Sequence, residues 1–271
     1  MKVWVLGSGS EGNATLIECG DTRVLVDAGF SPRELARRLR TIDVEPASIE
    51  ACVITHEHLD HARGAVRSAK KWGWKLFASH GTADVLAEVA QVHCERVTPG
   101  TTIALASATF TTRIVPHDAN IPLGVRVTSN STGATAVVCT DLGSVTSSVR
   151  TLCERADILV LESNHDEGML RAGPYPPSVV QRIGSRVGHL SNRAAASFTR
   201  DLVHRDLAHV ILAHMSERCN DHGVAQRAMV NALRTTRFRG ATHLTMQHGV
   251  IGPFSPSAAR VEPPRQLLLA L

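Results

Sequence analysis

Aromatic residues, paired cysteines and long hydrophobic runs are all scarce in this sequence. Aromatic residues make up 4% of the 271 positions, so aliphatic side chains must fill the core. The six cysteines include no Cys-x-x-Cys pair, which argues against a disulfide framework and a cysteine zinc site. No run approaches the roughly 18 apolar residues of a membrane span, and the first apolar run is too short for a signal peptide. We therefore expect a cytoplasmic protein that does not bind a membrane.

The hydrophobic content and the charge limit the size and the partners of the protein. Hydrophobic residues make up 43% of the chain, enough for one α/β domain, which we place at residues 1–252. Residues 253–271 are rich in Pro and Arg and are predicted to form a surface tail. The formal net charge of +4 is compatible with a polyanionic partner but does not identify one, and the oligomeric state is left open.

The alternation of apolar and polar residues predicts two sheets covered by helices. Strands are predicted at Lys2–Leu6, Thr15–Cys19, Arg23–Val26, Ala51–Thr55, Trp74–Ala78, Thr102–Leu105, Thr109–Ile114, Gly124–Thr128, Ala134–Thr140, Asp157–Leu161, His209–Ala213 and His243–Met246. Helices are predicted at Pro32–Arg40, Ala62–Trp72, Thr82–Val89, Val145–Glu154, Asn192–His204 and Val224–Thr235. Strands in both halves of the chain with helices between them indicate two sheets packed face to face. The stretch 168–188 is rich in Pro and is predicted to be a long excursion that could shape a substrate site.

The densest group of potential metal ligands is the His-x-His-x-Asp-His motif at residues 56–61. Its side chains, those of His56, His58, Asp60 and His61, directly follow the apolar strand at residues 51–55. A merely polar turn would contain more Gly, Pro or Asn. A tight loop at a strand end holds such ligands still, so the motif predicts a metal site.

Other His and Asp residues close further predicted strands. His117, Asp141 and His214 each follow an apolar run, and Asp27 ends the third strand. One such residue is usually structural, but several of them beside the motif indicate a shared metal site. Imidazole and carboxylate suit zinc, manganese or iron. Two ions about 3.5–4 Å apart can share a carboxylate and a hydroxide and hydrolyse esters, amides or phosphate esters, so the ligands alone do not identify the substrate.

Taken in order, these residues resemble the motifs of metallo-β-lactamase-fold hydrolases over residues 3–248. The resemblance implies a four-layer αβ/βα sandwich with two divalent metal ions at its strand ends. The implied ligands are His56, His58 and His117 for one ion, Asp60, His61 and His214 for the other, and Asp141 as the bridge. Asp27 would support the histidine loop without touching the metal. His165 is the alternative to His214 as a ligand.

Four segments are similar to the YycJ (WalJ) branch of this family, which acts on nucleic acid. They are the runs at residues 7–14, 115–119, 162–166 and 188–192. The resemblance implies 5′-to-3′ exonuclease activity on DNA, with a role in repair. Glu162, His165 and Asp166 follow a predicted strand, and a His with two acids there indicates a role in orienting metal ligands.

Three features favour phosphate as the group that is bound. The loop at residues 7–13, with Ser8, Ser10 and Asn13, offers N–H groups and hydroxyls to a phosphate, although a plain hairpin loop is an equal alternative. The segment preceding the helix at residue 192 offers a helix N-terminus to an anion. The residues predicted there are Ser191, Asn192 and Arg193. Basic side chains flank the segment and could contact a nucleic-acid backbone, or form a solvated basic face; they are Arg171, Arg182, Arg186 and Arg193.

His189 lies in the same segment and resembles the histidine that touches the scissile phosphate in β-CASP nucleases. We assign it a contact to the transition state or the role of general acid, with a capping-loop histidine as the alternative. The predicted function is a dinuclear metal-dependent phosphodiesterase acting as a DNA exonuclease through a metal-bridging hydroxide that Asp60 positions. The alternatives are a small-molecule phosphodiester or thioester hydrolase, and a non-catalytic nucleic-acid-binding protein with structural metals.

Overall fold

Two mixed β-sheets lie face to face at the centre of the protein, and helices cover the outer side of each. The computed structural model describes residues 1–90 and 93–256, and within these ranges each sheet has seven strands. The strands are Lys2–Gly7 (β1), Ala14–Cys19 (β2), Thr22–Val26 (β3), Ala51–Val53 (β4), Lys75–Ala78 (β5), Glu95–Arg96 (β6), Thr102–Ala104 (β7), Ala108–Ile114 (β8), Leu123–Ser129 (β9), Thr135–Cys139 (β10), Ile158–Glu162 (β11), His209–Ala213 (β12), Ala241–Leu244 (β13) and Ile251–Phe254 (β14).

In each sheet, the carboxyl ends of the parallel strands lie at one edge. The first has the order β14-β1-β2-β3-β4-β5-β6 and the second β13-β12-β11-β10-β9-β8-β7. In each sheet four consecutive strands run parallel, β3 to β6 in the first and β10 to β13 in the second. Strand β8 pairs antiparallel with β9, which pairs antiparallel with β10, so β8 and β10 point the same way. The carboxyl ends of the parallel strands therefore share an edge, where ligand sites form in α/β sheets.

The helices flank the sheets. They are Pro32–Arg40 (α1), Leu59–Ala62 (α2), Ala65–Trp72 (α3), His80–Ala90 (α4), Ser147–Cys153 (α5), Glu167–Ala172 (α6), Pro177–Ile183 (α7), Asn192–Leu202 (α8) and His222–Leu233 (α9), with a 3₁₀ turn at Pro46–Ser48. Helix α1 begins as the sequence predicts, because the Ser31 hydroxyl accepts a hydrogen bond from the Glu34 N–H and Pro32 occupies the first turn. Among the described residues, no helix is long and apolar enough to cross a bilayer.

Alternation along the strands divides the core into three layers. In β1, Val3 and Val5 point into the layer between the sheets, while Trp4 and Leu6 point towards the helices. Aliphatic side chains fill most of the central layer, and the rings of Phe77 and Phe110 meet there edge to face with centroids 5.1 Å apart. A third layer lies between the second sheet and helices α5, α8 and α9. The predicted four-layer αβ/βα sandwich is confirmed.

Several predicted boundaries were wrong. The helix predicted at 62–72 begins only at Ala65, because α2 ends at Ala62 and the helix breaks at Gly64, where a Cβ atom would collide with the carbonyl of Phe30. The excursion at 168–188 holds helices α6 and α7. Strands β6 and β14 were not predicted. The predicted tail begins inside β14, whose Phe254 packs into the core, and residues 257–271 lie outside the described residues.

Candidate metal centre

The strand ends bring the sequence-predicted ligands into one cluster between the two sheets. The motif at residues 56–61 follows β4, and His117 follows β8. Asp141 and His214 follow β10 and β12. Asp27, Asp141 and His214 adopt left-handed backbone with φ of 64°, 54° and 52°. Such backbone is uncommon for residues other than Gly and collects at functional sites, so three strands end in a turn that aims a polar side chain at a common point.

Four overlapping groups of side chains offer ligand atoms that lie within 4.8 Å of one another. The groups are His56, His58 and His117; His56, His61 and Asp141; Asp60, His61 and His214; and Asp141, Glu162, His189 and His214. The structure therefore brings together every residue that the sequence predicts as a metal ligand. It does not place His165, the alternative ligand, in any of these groups among the described residues.

Asp27 fixes the orientation of the histidine loop through hydrogen bonds. Its Oδ2 lies 2.7 Å from Nδ1 of His61, and its Oδ1 accepts a hydrogen bond of 2.8 Å from the N–H of Thr55. The Thr55 hydroxyl donates to the same carboxylate and lies 3.0 Å from Nδ1 of His56. Because a carboxylate can only accept, Nδ1 of His61 carries a proton and its Nε2 faces the cluster.

Glu162 plays the matching part in the second sheet. It is fully buried, and its Oε1 lies 2.7 Å from Nδ1 of His189 and 3.2 Å from Nδ1 of His214. Its Oε2 accepts hydrogen bonds from the N–H groups of Leu142 and Leu190. One carboxylate thus orients two imidazoles and two loops, in the way that outer carboxylates fix ligand tautomers in metal sites.

Glu57 joins the two halves of the cluster, a role that sequence reasoning missed. Its Oε1 accepts hydrogen bonds of 2.8 Å from both the backbone N–H and the side-chain amide of Asn120, and its Oε2 accepts one from the Thr82 hydroxyl. Asn120 lies three residues after His117, so this carboxylate ties the loop of His56 and His58 to the loop of His117. A glutamate flanked by two ligand histidines was the only signal, and it gives no hint of a partner 63 positions away.

The glycine-rich loop between β1 and β2 turns its polar side chains inward. The Ser8 hydroxyl donates to the amide oxygen of Asn13 and accepts a hydrogen bond from the backbone N–H of His214. The Asn13 amide nitrogen lies 3.1 Å from Nε2 of His61 and 3.4 Å from Oδ2 of Asp60. Both side chains are buried. The predicted phosphate contact is not supported for Ser8 and Asn13, because their polar groups already hold the ligand loops, whereas Ser10 is exposed.

The segment before helix α8 also uses most of its polar groups internally. The Ser191 hydroxyl accepts a hydrogen bond from the Ala194 N–H, and buried Asn192 bonds Ser163 and Asn220. Arg193 is exposed and pairs with Glu167 at 2.7 Å. This placement does not support a phosphate contact from the side chain of Asn192, and those of Ser191 and Arg193 stay predictions.

Asp166 and His165 differ from the predicted orienting role. Oδ1 of Asp166 accepts hydrogen bonds from the N–H groups of Gly168 and Met169, so Asp166 caps helix α6 instead of orienting a ligand. His165 is buried, and its backbone carbonyl accepts the N–H of Asn192. No metal ligand contacts its ring within the described residues.

Protonated histidines balance the charges of the carboxylates in the cluster. Burial opposes ionisation of Asp60, but hydrogen bonds to His214 and His61 outweigh it and lower the pKa of that carboxyl. Burial likewise disfavours the charged ring of His214, yet Asp141, Asp60 and Glu162 raise its pKa to about 10. The pKa of His61 is raised well above its usual value, because Asp141 and Asp27 outweigh its burial. Without a metal ion, the cluster therefore holds protons between its carboxylates.

Two other histidines respond mainly to burial. Burial and the neighbouring His61 lower the pKa of His56 well below its usual value, and burial lowers that of His117. Both rings are therefore neutral at pH 7, which is the form that binds metal. Burial also opposes the charged form of His189, but Glu162 outweighs it and raises the pKa of that ring.

The donor set fits metal ions. Nε2 of His56 is buried and has no hydrogen-bond partner within the described part of the chain. Nε2 of His61 faces Oδ2 of Asp141 at 2.9 Å, and Nδ1 of His58 faces Nε2 of His117 at 3.4 Å. Two acceptors that face each other at such distances require a proton or a cation between them. Imidazole and carboxylate without thiolate suit zinc, manganese or iron, so the residues present fit divalent metal ions.

Comparison with known proteins agrees with this geometry. The family model for the beta-lactamase superfamily domain matches residues 22–215. The chain belongs to the beta-lactamase superfamily. This membership confirms the resemblance inferred from the sequence. The metallo-beta-lactamase fold protein YhfI from Bacillus subtilis has a TM-score of 0.70 and 19% identity, covering 92% of this chain and 98% of its own, and it supports the fold alone.

Two relatives within the superfamily carry nuclease names. Exodeoxyribonuclease WalJ of Streptococcus pneumoniae serotype 2 (strain D39) is 34% identical over 241 residues, which cover 86% of this chain and 88% of the relative. Exodeoxyribonuclease YycJ of Bacillus anthracis is 29% identical over 238 residues, which cover 86% of this chain and 89% of the relative. The predicted similarity to the YycJ (WalJ) branch is confirmed.

Proposed function

We propose that this protein is a metal-dependent phosphodiesterase that removes nucleotides from the end of a DNA strand. The observation that carries the proposal is the position of His189, which lies against two adjoining groups of metal-binding side chains. Its ring centroid is 5.2 Å from that of His214 and 5.3 Å from that of His117. The exodeoxyribonuclease names of the relatives support DNA as the substrate.

The ligand groups support two ions. His56, His58 and His117 would hold one, and Asp60, His61 and His214 the other. Asp141 would bridge them, because its Oδ1 lies 3.6 Å from Nε2 of His117 and its Oδ2 lies 2.9 Å from Nε2 of His61. When bound, divalent ions of zinc, manganese or iron lower the pKa of water and offset the charge of a phosphodiester.

His189 and Asp60 perform the proton chemistry of the proposal. Glu162 accepts from Nδ1 of His189, so Nε2 of the protonated ring is free to donate to a phosphate oxygen or to the leaving oxygen. Burial opposes the charged ring of His189, but Glu162 outweighs it and raises the pKa, which favours the protonated form. The side chain is 21% exposed, so a substrate can reach it. Asp60, whose side chain is 20% exposed, would accept a hydrogen bond from the attacking water and orient it.

The test uses purified protein, manganese or zinc, and duplex DNA labelled at either the 5′ or the 3′ end. We expect release of nucleotides from the 5′ end, the direction that the family resemblance implies. His189→Ala is expected to lower the rate about 10²- to 10⁴-fold with little change in DNA affinity. His80→Ala, which removes an exposed histidine on α4, serves as the control.

Two outcomes would contradict the proposal. Equal losses of rate and DNA affinity in His189→Ala would assign this residue to binding instead of catalysis. Turnover of a small phosphodiester without cleavage of any DNA, across metals, would favour a small-molecule hydrolase. The cytoplasmic location and the role in repair stay predictions.

A further inference from the structure

A separate cavity of about 470 Å³ opens beside His189. It lies between helices α6 and α7 and the first turn of α8, and its volume is in the range of small-molecule sites. Apolar side chains form part of its wall, namely Leu170, Val180, Leu190 and Ala194. Because His189 lines both the cavity and the cluster of metal ligands, a molecule in the cavity would adjoin the reacting phosphate.

His165 is a buried polar group in this wall, and its Nδ1 lacks a partner among the described residues. It is 3% exposed, and neither nitrogen of its ring makes a hydrogen bond within residues 1–90 and 93–256. A buried polar group without a partner costs about 1–3 kcal/mol, so such a group in a folded protein calls for an explanation, such as a catalytic role or a bound water or ion. Nδ1 is the buried ring nitrogen without a partner in the described part of the chain, and Nε2 is the nitrogen that is not completely buried.

The rest of the polar wall suits a nucleotide. Arg171 is exposed and has no ion pair within the described ranges, unlike Arg182 and Arg193, which pair with Asp118 and Glu167. Arg171 is therefore available to a phosphate, which a guanidinium binds in bidentate fashion. Gln181 adds a hydrogen-bonding group beside the apolar surface, whereas the Ser191 hydroxyl already donates to Glu167 and accepts from the Ala194 N–H. An apolar wall for a base or sugar and a guanidinium for a phosphate match the two parts of one nucleotide.

We propose that this cavity binds the terminal nucleotide of the strand, a nucleoside monophosphate, while His189 meets the adjoining phosphodiester. The inference rests on the proposed exonuclease function. The apolar wall would pack against the base or sugar, His165 and Gln181 would hydrogen-bond it, and Arg171 would hold its phosphate. The cavity would thereby set the position of the strand end relative to the scissile bond.

The experiment measures binding of thymidine 5′-monophosphate, deoxyadenosine 5′-monophosphate and thymidine to the metal-loaded protein by calorimetry. Arg171→Ala is expected to weaken binding of both monophosphates by about ten- to a hundredfold and to leave thymidine unaffected. Val180→Trp is expected to fill the cavity, abolish binding of all three and slow DNA digestion. Hydrolysis of bis(p-nitrophenyl) phosphate, measured for each variant, reports separately on the metal centre.

Matched controls lie far from the cavity in sequence. Arg205→Ala removes an arginine with 84% side-chain exposure, and Val230→Trp enlarges a valine that is 47% exposed on α9. Both controls should bind nucleotides like the parent protein.

The outcomes separate this inference from the exonuclease proposal. Unchanged nucleotide binding in Val180→Trp, or no binding by the parent protein, would overturn the cavity assignment even if DNA is digested. Binding that Val180→Trp abolishes, in a protein that cleaves small phosphodiesters but no DNA, would support the cavity and overturn the exonuclease proposal.

Discussion

Replacing Asp27 with Asn should stop His61 from binding metal while leaving the His61 side chain in place. The carboxylate of Asp27 accepts from both the Thr55 N–H and Nδ1 of His61, and it is only 2% exposed. Asn has the same shape but a single acceptor. The Thr55 N–H is a fixed donor, so the amide oxygen stays with it and the amide NH₂ faces His61. Nδ1 of His61 then becomes the acceptor, and its proton moves to Nε2, the nitrogen that faces Asp141.

The size of the effect follows from the loss of this ligand atom. Removing the outer partner of a metal-binding histidine typically weakens metal binding about 10- to 100-fold. That range corresponds to about 1.4–2.7 kcal/mol of binding free energy. The loss should fall on the ion held by Asp60, His61 and His214, and binding by His56, His58 and His117 should change less.

Calorimetric titration of the metal-free protein with zinc measures both binding steps, and ¹⁵N NMR reports the tautomer of His61. The control is Asp157→Asn, because Asp157 is also 2% exposed and accepts from the backbone N–H and hydroxyl of a threonine, Thr135, but contacts no histidine of the cluster. Asp157→Asn should bind both ions as the parent protein does. An Asp27→Asn protein with parental affinity for both ions, or with the proton still on Nδ1, would refute the tautomer argument.

Three further predictions concern the same centre. Glu57→Ala should weaken binding of the ion held by His56, His58 and His117 by about tenfold. Glu57→Gln should weaken it less, because Gln keeps an acceptor for the Asn120 N–H. Metal competition assays measure both variants, and an equal loss of affinity for both ions would contradict the cross-link between the two loops. Metal affinity should rise with pH up to about 10, because the pKa of His214 is raised to about 10 and its proton must leave before a metal binds. Calorimetry in buffers of different ionisation enthalpy detects the release of the proton, and binding without that release would contradict the assignment. Chelation should lower Tm by about 5–10 °C relative to protein with metal at 100 times Kd, which corresponds to about 2.7 kcal/mol; an unchanged Tm would argue against bound metal in the folded state.

Local patterns in the sequence predicted the sheets and most of the cluster. The motif at residues 56–61 is dense enough to stand out alone, and His117, Asp141 and His214 could be placed because each closes an apolar run. Strand ends of one direction share an edge, so the sequence also predicted that these residues meet. Periodicity and strand-end position need no knowledge of distant contacts.

The missed features depend on distant partners. Glu57 gains its role from Asn120, and Ser8 gains its role from the backbone of His214, 206 positions away. Strand β14 pairs with β1 from the other end of the described chain, so a short run containing Gly and Pro gave no strand signal. A loop rich in Ser and Asn is polar, but its sequence does not show whether the side chains face solvent or the interior. Here the polar groups of Ser8 and Asn13 face inward.

The division of ligands between the sheets has a mechanical consequence. His56 and His58 hang from the first sheet and His117 from the second, and Glu57 spans the same gap to Asn120. Bound metal would therefore cross-link the two sheets and resist sliding of one over the other. The coupling also runs in reverse, since any shear between the sheets changes the spacing of His58 and His117. Load applied across the sandwich would then change the spacing of these ligand side chains directly.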